Sequence, residues 1–181
     1  ELAPLASDTQ AVIEEVSRAG GLCYLAHPFE RSSPLHPELA AIPWEDLDVR
    51  GYHGIELWNY MSEFKGLLRN RLVALFYALL PSVGIRGPYQ ATLHQWDALL
   101  SDGKRISVIG GADAHGETYS MGPLTRELFP YEYLFQCVNT HVLTPLPFNG
   151  DLGRDKGLLY DGLRAGRTCC GPTTGSTRTA G

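Results

Sequence analysis

The sequence has no run of basic residues and no apolar stretch of membrane-spanning length. Its 15 lysines and arginines are scattered among 20 acidic residues, and the net charge is −5, whereas proteins that bind a nucleic-acid backbone carry a basic stripe. The apolar run at 72–80 is far shorter than the roughly 20 residues that cross a bilayer. We therefore expect neither a nucleic-acid partner nor a membrane partner.

The sequence also has no paired cysteines, and its first residues do not have the pattern of a leader. Its four cysteines form no C-x-x-C motif, and Cys169 and Cys170 are adjacent, which is poor geometry for a disulfide or zinc framework. Reduced thiols of this kind favour a cytoplasmic protein. Residues 1–4 contain no Met, basic segment or apolar segment, so we expect the chain to begin inside a longer protein.

Short apolar runs alternate with segments of helical periodicity along the chain. Continuous apolar strands separated by helices are typical of an α/β fold whose parallel sheet is covered on both faces. The composition of 29–50 predicts an irregular loop over a binding site, anchored by Trp44. Residues 117–136 give little indication of secondary structure. The pattern predicts helices at 9–19 (capped by Ser7, Asp8 or Thr9), 62–80, 90–100 and 155–165, and strands at 22–26, 53–57, 106–110, 138–144 and 168–170.

Polar side chains follow three of the predicted strands. His27 follows the first strand, Glu56 lies near the end of the second, and Asp113 and His115 follow the paired glycines after the third. The carboxyl ends of parallel strands meet at one edge of a sheet, and such nitrogen and oxygen ligands suit Zn, Mn or Fe. The alternatives are a hydrogen-bonded core histidine at 27, a solvated Glu56, and a turn aspartate beside a surface histidine.

Three motifs carry a resemblance to a known family. They are Leu-Ala-His-Pro at 25–28, Gly-Ile-Glu-Leu-Trp-Asn at 54–59 and Gly-Gly-Ala-Asp-Ala-His at 110–115. In order and spacing they resemble the later motifs of the PHP (polymerase and histidinol phosphatase) family of metal-dependent phosphoesterases, especially its carbaryl-hydrolase-like branch. The resemblance covers about 12–171, and it implies a distorted (β/α)7 barrel of parallel strands. It also implies two or three divalent metal ions and hydrolysis by a metal-bound hydroxide.

The resemblance assigns roles to residues of this chain. His27, Asp113 and His115 would be metal ligands, Asp113 and His115 would also be catalytic, and Glu56 and Asn59 would line the site. The opening H-x-H, D-H and glutamate motifs of the family have no counterpart before His27, and the remaining histidines match no motif: His36, His53, His94 and His141. We therefore expect 1–171 to be the C-terminal part of a PHP-like domain, followed by a flexible tail at 172–181.

Two functions from different classes follow from these observations. The first is a metal-dependent hydrolase, most simply a phosphoesterase, with a carbamate or another small-molecule ester as the alternative substrate. The second is a catalytically incomplete half-barrel that acts as a binding or assembly module. Missing strands would leave apolar side chains such as Leu22, Tyr24 and Leu25 uncovered, which predicts self-association into a homo-oligomer.

Overall fold

The computed structural model describes residues 8–35, 40–46, 48–80, 83, 85, 87–116, 118–121, 124–127 and 129–173. Ser7, His36 and residues 174–181 of the expected tail lie outside these ranges. The elements are α1 (Thr9–Arg18), β1 (Tyr24–Leu25), β2 (Gly54–Asn59), α2 (Tyr60–Leu67), α3 (Arg71–Leu79), α4 (Gln90–Ser101), β3 (Ser107–Gly111), β4 (Thr118–Met121), β5 (Leu124–Glu127), α5 (Tyr131–Cys137), β6 (Asn139–Val142), α6 (Leu152–Arg164) and β7 (Thr168–Gly171).

The first three strands form a parallel sheet in the order β1-β2-β3. Leu25 is in register with Ile55, and Ile55 with Val108, and these side chains are almost fully buried. They form one core with Ile13 of α1 and with Val49 and Tyr52 from the segment before β2. The expected mixed α/β architecture with a parallel sheet is confirmed.

The later strands depart from the expected parallel arrangement. β4 pairs with β5, and β6 with β7, in antiparallel fashion, so the described strands form three separate sheets. After β6, residues 143–151 lead away from the strand and α6 returns to its end, where Gly162 contacts Val142. β7 therefore starts beside the end of β6, and the two strands run in opposite directions.

The β6–β7 pair lies against β3 through threonine hydroxyls. Thr140 Oγ1 accepts from the N–H of Gly110 at 2.9 Å and donates to its carbonyl at 2.8 Å. A Cβ at Gly110 would lie 3.0 Å from Cys170 Cβ and 3.0 Å from Val138 Cγ1. Gly110 is therefore needed for the close approach of β3 to this pair.

The predicted helix at 62–80 is wrong as a single element. The chain forms α2 and α3 with a break at 68–70, because Leu68 has non-helical backbone angles and Asn70 begins a new helix by accepting from Val73 N at 3.0 Å. The carbonyl of Leu68 instead accepts from Leu35 N at 2.9 Å. Continuous apolar periodicity concealed this cap.

The prediction of an uncovered apolar surface around β1 is also wrong. Strand β1 is shorter than the predicted 22–26, and Leu25 is 3% exposed, while Leu22 and Tyr24 are half-buried. Many of the large exposed apolar side chains lie elsewhere, on α3 and in the loop before α6, and these include Leu72, Leu75, Phe76, Leu143, Leu146 and Phe148.

A second core lies beyond the carboxyl ends of β2 and β3. It unites Tyr60 and Phe64 of α2 with Ala112, Phe129 and Leu134. Edge-to-face contacts join the Phe129 ring to both Tyr60 and Phe64, with ring centroids 6.4 and 4.6 Å apart. In the described ranges no helix is long and apolar enough to cross a membrane.

The loop and tail predictions have mixed outcomes. The described residues within 29–50 have no helix or strand, and Trp44 is anchored through its backbone N–H to Pro28 O at 3.2 Å. At the other end, Thr173 is hydrogen-bonded to Gln136 O and to the Asn139 side chain, so the second residue of the expected tail is still held. The weakly patterned 117–136 contains β4, β5 and most of α5.

Candidate metal centre

His27 lies in a strained turn at the end of β1. Its φ is +29°, a conformation that is costly for a residue with a side chain and that clusters at functional sites. Its backbone N–H donates to Glu56 Oε2 at 2.8 Å, and its carbonyl accepts from Glu30 N at 3.0 Å. The Glu56 carboxylate and the turn through Pro28 and Phe29 together hold the backbone of His27 in place.

Glu56 lies between the carboxyl ends of the three parallel strands. Its carboxylate contacts the His27 backbone on one side, and on the other a Cβ at Gly111 would lie 3.6 Å from Oε1. Burial raises the pKa of Glu56 and the charge of Asp113 adds to this, while bonds from His27 N and Asn59 and the charge of His27 oppose it. Because the carboxyl group of Glu56 is partly buried and hydrogen-bonded, the alternative of a solvated Glu56 is wrong.

Asn59 connects this carboxylate to the start of α2. Its side-chain Nδ2 donates to both oxygens of Glu56, at 3.3 and 3.2 Å. Its Oδ1 accepts from Ser62 N at 2.9 Å and so caps the helix. Asn59 is 6% exposed. One amide therefore orients the carboxylate and begins the helix, and the predicted lining pair Glu56 and Asn59 is in direct contact.

Asp113 and His115 form a second pair in the segment after β3. Asp113 has a φ of +51°, and His115 Nδ1 lies 2.6 Å from Asp113 O. A carbonyl oxygen only accepts, so Nδ1 carries the proton and the Nε2 lone pair is left for a ligand. The Asp113 and His115 side chains are 37% and 58% exposed, so both can be reached from solvent.

The structure brings the predicted residues together in two groups. His27, Glu56 and Asn59 form one, Asp113 and His115 the other, and Glu56 is close enough to Asp113 for the two charges to interact. Within the described part of the chain, no three His, Cys, Asp or Glu side chains converge to hold one cation. The expected cage of His27, Asp113 and His115 is therefore not assembled in this arrangement.

The donor set nevertheless fits a divalent cation chemically. The Nε2 of His115 has a free lone pair, the Asp113 carboxylate lies 3.7 Å from Nδ1 of the same ring, and the Glu56 carboxylate faces the same strand end. On the other side, the ring Nδ1 of His27 is buried without a hydrogen-bond partner among the described atoms. Imidazole and carboxylate are the ligands that Zn, Mn and Fe share.

The described histidines outside the motifs have other environments. His53 Nδ1 accepts from Cys23 N at 3.2 Å, so its proton lies on Nε2 and it joins the ends of two strands. Burial, followed by the charge of Arg164, lowers the pKa of His53. His94 and His141 are exposed on α4 and β6. These placements agree with the absence of a motif around them.

Two buried glutamates beside the site were missed from the sequence. Glu30 and Glu63, together with His27 and Glu56, line a small cavity of about 10 Å³. Burial raises the pKa of Glu63 to about 8, although the Tyr89 backbone N–H, the Trp58 indole and Arg31 lower it. A sequence signal did exist, because Glu30 follows His-Pro by two residues and Glu63 lies one helical turn after Asn59.

The sequence matches no protein-family model, and neither a curated protein nor a solved structure shows significant similarity to it.

Proposed function

We propose that this chain carries part of the active site of a metal-dependent hydrolase, with a phosphoester as the simplest substrate. The observation that carries the proposal is the placement of Glu56 between two strained strand ends, with His27 on one side and Asp113 on the other. Positive φ at two residues with side chains, both at carboxyl ends of parallel strands, is a pattern of functional sites.

The residues have distinct roles in this proposal. Asp113 and His115 would hold a Zn, Mn or Fe ion, His27 would be a ligand on the other side of Glu56, and Glu56 and Asn59 would orient that edge of the site. Such a metal supplies Lewis-acid polarisation and a water of lowered pKa. The side chains contribute charge and orientation: the Asp113 carbonyl fixes the His115 tautomer, and the Asn59 amide fixes the Glu56 carboxylate.

The proposal includes a larger architecture. We infer that the parallel sheet β1-β2-β3, with its helices, belongs to a distorted (β/α)7 barrel of the PHP kind, whose further strands would supply the remaining ligands. The resemblance of three motifs supports this reading, and so does their position, because all three lie at or just beyond the carboxyl ends of adjacent strands. The protein would act in the cytoplasm on a small-molecule ester.

The experiment compares metal-dependent hydrolysis by the chain, extended upstream to supply the remaining strands, with hydrolysis by single variants of the same extended chain. p-Nitrophenyl phosphate and an aryl carbamate are assayed with Zn, Mn or Fe, and a chelator is then added. We expect metal-dependent turnover that His115→Ala reduces at least 100-fold and that His94→Ala leaves unchanged, because His94 is exposed on α4. Equal activity in both variants, or activity that persists with chelator, would contradict the proposal.

A second candidate is a binding or assembly module. The observation that favours it is the lack of three converging ligands among the described residues, together with the exposed apolar side chains of α3, where Leu72 is 80% exposed. An inactive chain that forms a defined oligomer by analytical ultracentrifugation would support this candidate. An active monomer would exclude it.

A further inference from the structure

Glu30 is a buried carboxylate that joins three parts of the chain. Its side chain is 8% exposed. Oε1 accepts from Lys65 Nζ at 2.6 Å and from Ser62 Oγ at 3.0 Å, both on α2. Oε2 accepts from Ile42 N at 2.6 Å. Such a carboxylate has one fixed orientation, because each oxygen is held by a donor from a different segment.

This fixed carboxylate faces the ring of His27. The turn that closes with Glu30 N donating to His27 O brings the side chain back toward the imidazole, and Oε2 lies 3.8 Å from Nδ1. No hydrogen-bond partner lies within reach of that buried Nδ1 among the described atoms. Both residues line the small cavity, which has room for about one water between them.

Electrostatics then decide which ring nitrogen of the neutral imidazole carries the proton. An acceptor-only carboxylate attracts an N–H and repels a lone pair, so it favours the proton on Nδ1. The Nε2 lone pair is thereby left for a ligand, and carboxylates behind metal-binding histidines act in this way. His115 reaches the same tautomer by a different route, through the Asp113 carbonyl.

We infer that Glu30 is the positioning residue of His27, holding its ring in the Nδ1–H tautomer with Nε2 free for a divalent cation. The tautomer stands on the geometry alone, and only the cation rests on the proposed function. Lys65 has a supporting role, since it neutralises the charge that would otherwise be buried beside the ring.

The test is nitrogen NMR of ¹⁵N-histidine-labelled chain without metal, at a pH where the rings are neutral. His27 is assigned from the spectrum of His27→Gln. In the wild type we expect Nδ1 to show the protonated and Nε2 the unprotonated chemical shift. Glu30→Gln should move His27 toward the opposite tautomer or a mixture. His53 is the internal control, because its Nδ1 accepts from Cys23 and its pattern should stay unchanged.

The outcomes separate this inference from the proposed function. A wild-type His27 protonated on Nε2 would overturn it without any variant, and so would a Glu30→Gln spectrum identical to the wild type. Competition with a Zn indicator provides the second readout, and we expect Glu30→Gln to weaken Zn binding 10- to 100-fold. If the tautomer shifts as expected but neither chain binds Zn, the positioning role holds and the proposed function fails.

Discussion

The backbone N–H of His27 donates to Glu56 Oε2 at 2.8 Å and ties the end of β1 to the neighbouring strand. This bond joins two of the sequence motifs, since His27 and Glu56 lie 29 residues apart in the chain. Because the same carboxylate also receives both bonds from Asn59, removing it would leave polar groups on two strands without their acceptor.

We therefore expect Glu56→Ala to lower the free energy of unfolding by about 1–3 kcal/mol, the usual cost of leaving buried donors unpaired. Urea denaturation measures this difference. Glu56→Gln keeps an acceptor at the same place and should fall between the wild type and Glu56→Ala. Glu132→Ala, an exposed glutamate on α5, is the control and should stay within about 0.5 kcal/mol of the wild type. A Glu56→Ala chain as stable as this control would contradict the assignment.

The raised pKa of Glu63 gives a prediction about pH. Burial raises the pKa of Glu63 in the folded chain to about 8, against 4.5 for an unperturbed glutamate, so between these two pH values the folded state binds a proton that the unfolded state has lost. The contribution of this group to stability is therefore present below about pH 4.5 and is lost as the pH rises toward 8.

Glu63→Gln removes this pH dependence because the amide cannot ionise. Urea unfolding at pH 5 should give similar free energies for the variant and the wild type. At pH 9 the variant should be the more stable by up to about 4 kcal/mol, since the pKa of about 8 lies three units above pH 5 and each unit corresponds to about 1.4 kcal/mol. Parallel curves for the two chains from pH 5 to pH 9 would show that Glu63 ionises normally.

Two glycines offer a matched pair for the packing of β3. Gly110→Ala places a methyl group 3.0 Å from both Cys170 and Val138, and we expect a loss of about 1–3 kcal/mol from overpacking. Gly157 lies within α6 with nothing within 4 Å of an added Cβ, so Gly157→Ala should stabilise the chain by about 0.5–1 kcal/mol. Thermal unfolding distinguishes the two, and equal effects would contradict the close approach of β6 and β7.

How much the sequence could predict depended on whether its signals were local. Apolar runs that end at polar residues located β2 and β3, and Asp8 marked the start of α1 because a cap needs only its own helix. The break at Asn70 was not predicted because the apolar period continues across it. The last strand was predicted, but not its antiparallel direction, because strand direction depends on the path through 143–151.

The candidate site shows the same division. Strand-end placement brought Glu56 and Asn59 together and set Asp113 beside His115, as the motifs indicated. Sequence alone could not show that Glu30 turns back toward His27, because that contact depends on Lys65, Ser62 and Ile42 holding the carboxylate. It also could not show that His27, Asp113 and His115 do not converge on one cation in the described arrangement.

The central claim is that a divalent cation binds at the strand ends around Asp113 and His115. Crystals of the chain grown with Zn, with diffraction recorded on both sides of the Zn absorption edge, locate the ion directly. We expect an anomalous peak about 2.0–2.2 Å from His115 Nε2 and from an Asp113 carboxylate oxygen, on the side of β3 that faces Glu56. A map in which Zn binds only elsewhere, or in which no peak lies near these residues, would contradict it.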